Sequence, residues 1–139
     1  MTYDVDPNNL TLVQHEYNSD QQGEVRFVKA TDGLEVHVKF VNNKIVDGDH
    51  YRCDVYLLDA AEEFIAAAKV KAGVNARGIG GVEERLIDEK IPLTPDELTR
   101  LSKITVDFGQ FDGVDDSETW RRVGEAIAKY YFGDAVSPT

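Results

Sequence analysis

Cysteine is nearly absent from this chain. Cys53 is the only one in 139 residues, which excludes an internal disulfide and fits a reducing compartment. Basic residues are also scarce: 15 Lys and Arg stand against 26 Asp and Glu, a formal charge of -11. A nucleic-acid backbone or an anionic bilayer is bound by displacing counterions with a basic surface, so neither is expected as a partner. No apolar run approaches the roughly 18 residues that a membrane-spanning helix needs. Residues 1–6 offer neither the basic nor the apolar stretch of a secretory signal, and a cytoplasmic setting is the expectation. The three histidines, His15, His37 and His50, fall in no His-x-His or His-Glu-x-x-His spacing. No metal and no other cofactor is therefore expected.

What is present is a period of two. With 42% hydrophobic residues, the chain can build one domain over 1–139 with a core of its own. Leu34, Val36, Val38 and Phe40 alternate with Glu35, His37 and Lys39, the pattern of a strand with one buried face. Val25 and Phe27 precede them, and Thr31-Asp32-Gly33 reads as a tight turn in which glycine supplies a positive φ. Leu10, Leu12 and Val13 predict a first strand within 9–17. Tyr51, Cys53, Val55 and Leu57 share a face opposite Arg52 and Asp54. Residues 59–62 form a turn, and Phe64, Ala66, Ala68, Val70 and Ala72 alternate on the return strand. Residues 73–81 are a glycine-rich loop, followed by a charged strand over 82–91.

Thr94-Pro95-Asp96-Glu97 is a capping box with proline at the first helical position. It predicts a short crossover helix near 95–101 before the alternating Ile104, Val106 and Phe108. Trp120, Val123, Ile127 and Tyr131, spaced three, four and four apart, predict an amphipathic C-terminal helix near 117–132. The sum is a mainly β chain: an antiparallel β-sandwich of about seven strands with those two helices. From Val36 to Phe108 its rhythm resembles that of the Ig-like sandwich modules found in many unrelated bacterial proteins. The resemblance implies architecture and no activity.

Chemistry is harder to find. Cys53 lies on the inward face of its strand, where burial makes a thiol inert. No serine has the Gly-x-Ser-x-Gly surroundings of a nucleophile elbow. Asp107, Asp112, Asp115, Asp116 and Glu118 cluster within a dozen residues but lack the EF-hand order, and Asp115 or Asp116 suits the N-cap of the following helix. Residues 64–82 contain no acid while holding Lys69, Lys71 and Arg77. The glycine-rich run fits neither the P-loop nor the Rossmann spacing. These features point to a non-enzymatic acidic protein-interaction module, such as an inhibitor or immunity-type protein that binds a basic partner. Asp112, Asp115, Asp116, Asn75 and Arg77 are its candidate contacts. The alternatives are a small-ligand-binding protein or enzyme with a site near 73–81, and a structural component of a larger assembly.

Overall fold

A computed structural model describes residues 1–111, with the backbone alone at Phe111. The expected C-terminal helix and the residues Asp112, Asp115 and Asp116 lie outside this range. Eight strands and one short helix follow in order: β1 (Thr2–Val5), β2 (Val13–Asn18), β3 (Gln21–Ala30), β4 (Gly33–Asn42), β5 (Asp49–Leu58), β6 (Phe64–Val74), β7 (Glu83–Pro92), α1 (Pro95–Arg100) and β8 (Lys103–Phe111). They form two antiparallel four-stranded sheets, β1-β8-β5-β6 and β2-β3-β4-β7. The architecture is the expected β-sandwich. Its strand order is not the ABED and CFG arrangement of immunoglobulin domains.

The added strand is β1. Its four residues are too short for a periodicity to register, yet Val5 is buried and all four pair with β8. The predicted first strand begins later, at Val13, after a stretch in which Pro7 is buried and Asp6 bridges Asn9. At the β3–β4 turn, Gly33 pairs with Ala30 and does not take a positive φ. Its small size matters instead, since a Cβ there would run into the Ile91 carbonyl of β7. On β6 the expected alternation fails at its start. A bulge opposite Leu57 and Leu58 inserts a residue, so Ile65 takes the buried position and Phe64 does not. Strand β6 also runs on through Gly73 and Val74, which shortens the glycine-rich loop.

The capping box is formed as the sequence predicts. The Thr94 hydroxyl accepts from Glu97 N–H at 3.1 Å, and Glu97 Oε1 accepts from Thr94 N–H at 2.9 Å. Leu93 and Leu101 are buried at its two ends, so α1 carries the chain from the second sheet to β8 of the first. Between the sheets lie Phe40, Tyr51, Leu34, Leu57, Ile104 and Phe108, all buried. The Phe40 and Tyr51 rings stack at 5.5 Å and join the two layers. Cys53 is fully buried beside them, and burial pushes its thiol well above the usual range.

Each edge strand carries a feature that discourages strand addition. β1 is short, β2 and β6 are bulged, and β7 turns Arg85 and Glu89 toward the core side, opposite Phe40 and Val36. The energetic weights should differ sharply between core and cap. Phe40→Ala is expected to cost about 3–5 kcal/mol of unfolding free energy, and Thr94→Ala about 1 kcal/mol. Urea titration checks both, and similar losses for the two would contradict this view of the packing.

Candidate binding tip

Asn42, the last residue of β4, is fully buried. A buried primary amide must spend its donors and acceptor within the protein. Its Nδ2 reaches the carbonyls of Asp47 at 2.9 Å, Asn75 at 3.3 Å and Val74 at 3.5 Å. Its Oδ1 accepts from Lys44 N–H at 3.0 Å. One side chain thereby ties the β4–β5 loop (43–48) to the β6–β7 loop (75–82). The loops also bond directly, Arg77 N–H to the Lys44 carbonyl at 2.8 Å and Gly78 N–H to the Ile45 carbonyl at 3.2 Å. Gly48 allows the close approach, because a Cβ there would stand 3.2 Å from the Val74 carbonyl oxygen.

A polar layer underlies this tip. Buried Gln21 donates to Asp49 at 3.1 Å and accepts from Asn18 at 2.6 Å and Gln110 at 3.2 Å. It links β3 of one sheet to β5 and β8 of the other. The neighbouring Tyr51 phenol is pushed up to about 12, first by burial and then by the charge of Asp49.

The tied loops present aliphatic side chains to solvent. Ile45 is 57% exposed, Val46 84%, Val82 50%, and Ile79 is as exposed as in an open chain. Half of the exposed large hydrophobic residues among the described ones sit on these two loops. Asn75 is exposed and Arg77 half-buried on this second loop, beside residues 43–48. Neither Lys44 nor Arg77 makes an ion pair among the described residues. Around them lies an open depression of about 430 Å³, lined by Asp20, Asn43, Lys44, Ile45, Val46, Asp47 and Arg77.

Two other places hold polar chemistry. On the outer face of the first sheet, Arg52 Nη1 donates to Asp54 at 2.9 Å and to Asp107 at 3.0 Å. The terminal amine lies 3.3 Å from Asp107. Asp107 is thus ion-paired within the sheet, while the other members of the expected acidic cluster lie outside the described residues. Asp54, which the sequence places with Arg52 on the face opposite Cys53 and Val55, is only 2% exposed. Burial pushes its carboxyl up, while the Arg52 guanidinium opposes that shift. Gly109 lies directly under the guanidinium, where any side chain would collide with it.

His15 forms the other place. Its Nδ1 shares a 2.7 Å hydrogen bond with the Tyr3 hydroxyl, and its ring stacks on Phe108 at 5.3 Å. His37 stays on the polar face, bonded to Asp88 and Glu35. Among the described residues no group of three or more His, Cys, Asp or Glu side chains is placed to hold a metal, and no helix is long and apolar enough to cross a membrane. A second open depression of about 480 Å³ crosses the outer face of the second sheet, among Gln14, Glu16, Gln22, Glu24, Lys39 and Val41.

No protein-family model and no curated protein matches this sequence. Among solved structures, the Salmonella enterica trimeric lipoprotein SadB aligns with a TM-score of 0.44 at 10% identity, over 78% of this chain and 60% of that one. The enzymatically active domain of tailspike protein 4 of bacteriophage CBA120 aligns at 0.27 and 9%, over 79% of this chain and 17% of that one. Likenesses of this grade carry no argument about what the chain does.

The His15 cluster generates a pH dependence. Burial, and then the terminal ammonium, hold its imidazole below the ordinary 6.5, with Asp107 partly offsetting them. The unfolded chain therefore takes up the proton first. The contribution of neutral His15 is complete above the ordinary value and is lost as pH falls through the interval beneath it. The unfolding free energy of the wild type should drop more between about pH 7 and about pH 5 than that of His15→Gln. Parallel curves would contradict this assignment.

Proposed function

We propose that this chain is a non-enzymatic protein-interaction module, working in the cytoplasm, that engages its partner with the paired loops 43–48 and 75–82. One observation carries the reading: two loops from different strand connections are locked together by Asn42 and present Ile45, Val46, Ile79 and Val82 outward. Locking a loop before binding removes the ordering cost that a flexible contact surface must meet. Soluble proteins do not gather exposed aliphatics at one end without a use for them. The loops stand on a rigid two-sheet scaffold, the usual placement for recognition. The chain's thiol is buried and inert, which leaves it unsuited to nucleophilic work.

The acidic body contributes to the same reading. A charge of -11 draws a basic partner from a distance and speeds encounter, while the tip supplies the short-range contacts. An inhibitor or immunity-type protein that covers a basic enzyme fits both features. The test is an affinity capture with wild-type chain and with an Asn75→Ala, Arg77→Glu double variant as baits. The partner is expected on the wild-type bait and absent from the variant, with capture weakened by salt. Identical sets on both baits would remove the tip from the binding surface.

A further inference from the structure

Ile79 stands apart from every other residue of the tip. It is fully exposed and sits between Gly78 at φ +59° and Gly81 at φ +110°, with nothing within 4 Å of where a Cβ would lie on either. Those glycines are therefore there for backbone conformation, since space does not demand them. Spanning from β6 to β7 across facing sheets about 10 Å apart needs about three residues of extended chain. Residues 75–82 exceed that span, and the excess lifts Ile79 outward. Gly78 N–H is held by the Ile45 carbonyl, so the lifted turn is anchored at its base on the second loop.

We infer that Ile79 is the anchor of the interface, inserting into an apolar cleft on a protein partner whose rim carries carboxylates that meet Lys44 and Arg77. This rests on the reading of the tip as a protein-binding surface and names the partner's chemistry there. Ile45, Val46 and Val82 form the shelf around the anchor, excluding water from it as near-neutral contacts do around a hot spot. Carboxylates on the rim follow from charge. Lys44 and Arg77 make no ion pair among the described residues, although Asp20 and Asp47 border the same depression, and the stretch 64–82 around Arg77 contains no acid. Arg77 Nε is buried with no hydrogen-bond partner among the described residues. A protein occupant is favoured over a bilayer because a protein can set discrete carboxylates beside Lys44 and Arg77 and clear of Asp20 and Asp47. A continuous anionic surface instead meets the whole -11 of the chain. Anionic lipid would be repelled, and neutral lipid would leave the two cations unmatched.

The experiment uses the full chain and the purified protein that the tip captures. Ile79→Asp and Val46→Asp replace exposed residues, so folding is untouched; Leu86→Asp places the same charge on an exposed apolar site of the second sheet. Binding should weaken by at least about tenfold for Ile79→Asp, less for Val46→Asp, and not at all for Leu86→Asp. Adding salt should weaken the wild-type complex more than the Arg77→Gln complex. A partner lost with Asn75→Ala, Arg77→Glu yet indifferent to Ile79→Asp would overturn the anchor and leave the tip as a binding surface. Two further results would overturn the assigned occupant, a protein other than this chain. One is co-sedimentation of the chain with phosphatidylcholine or phosphatidylserine vesicles. The other is self-association that Ile79→Asp abolishes.

Discussion

One buried amide organises the end of this sandwich. Asn42 closes strand β4 and gives its side chain to three carbonyls and one N–H on two separate loops. The Lys44, Asp47 and Asn75 groups among them lie beyond the strand ends, and a buried carbonyl without a donor costs about 1–3 kcal/mol. The amide meets that demand and, in doing so, sets the distance between residues 43–48 and 75–82. The side chains presented by the tip take their positions from this contact together with the direct bonds of Arg77 and Gly78 to Lys44 and Ile45. Gln21 acts in the same way in the layer beneath, where its hydrogen bonds to Asp49 and Gln110 hold the two sheets in register under the loops.

The acidic excess of the chain looks different once the fold is known. Much of it solvates sheet faces in ordinary cross-strand pairs, such as Glu24 with Lys39 and Asp88 with His37. Asp54 and Asp107 are turned to structural use by Arg52, which bridges them over Gly109. The tip, by contrast, mixes exposed aliphatic groups with two cations, Lys44 and Arg77, that have no ion-pair partner among the described residues. In the proposed reading, long-range charge and short-range contact fall to different regions of the molecule, a division that would let an interface combine fast encounter with selectivity.

The strands are legible in the sequence where one face is fully buried. Leu34 to Phe40 and Tyr51 to Leu57 alternate because each inward position is wholly apolar, and the capping box around Thr94 is a local code that needs no tertiary context. The sequence is opaque where a long-range partner decides. Gly33 reads as a turn residue, but its reason is the Ile91 carbonyl of a strand far along the chain. Ile65 displaces Phe64 because a bulge, which depends on the partner strand, shifts the phase. Asn75 and Arg77 are singled out as candidates by the acid-free, glycine-rich run they sit in. Ile45 and Val46 escape notice, since a short apolar pair between Asn43 and Asp47 carries no signal until the facing loop is placed beside it.

Hydrogen exchange in Asn42→Ala tests the central claim, that this side chain pre-sets the tip. The amides of Arg77 and Gly78, which are bonded to Lys44 and Ile45 across the two loops, should exchange at least about tenfold faster in the variant. Amides in the middle of β4, β5 and β8 should keep their protection, because the core beneath is unchanged. Unaltered exchange at Arg77 and Gly78, or a uniform loss of protection through both sheets, would contradict it.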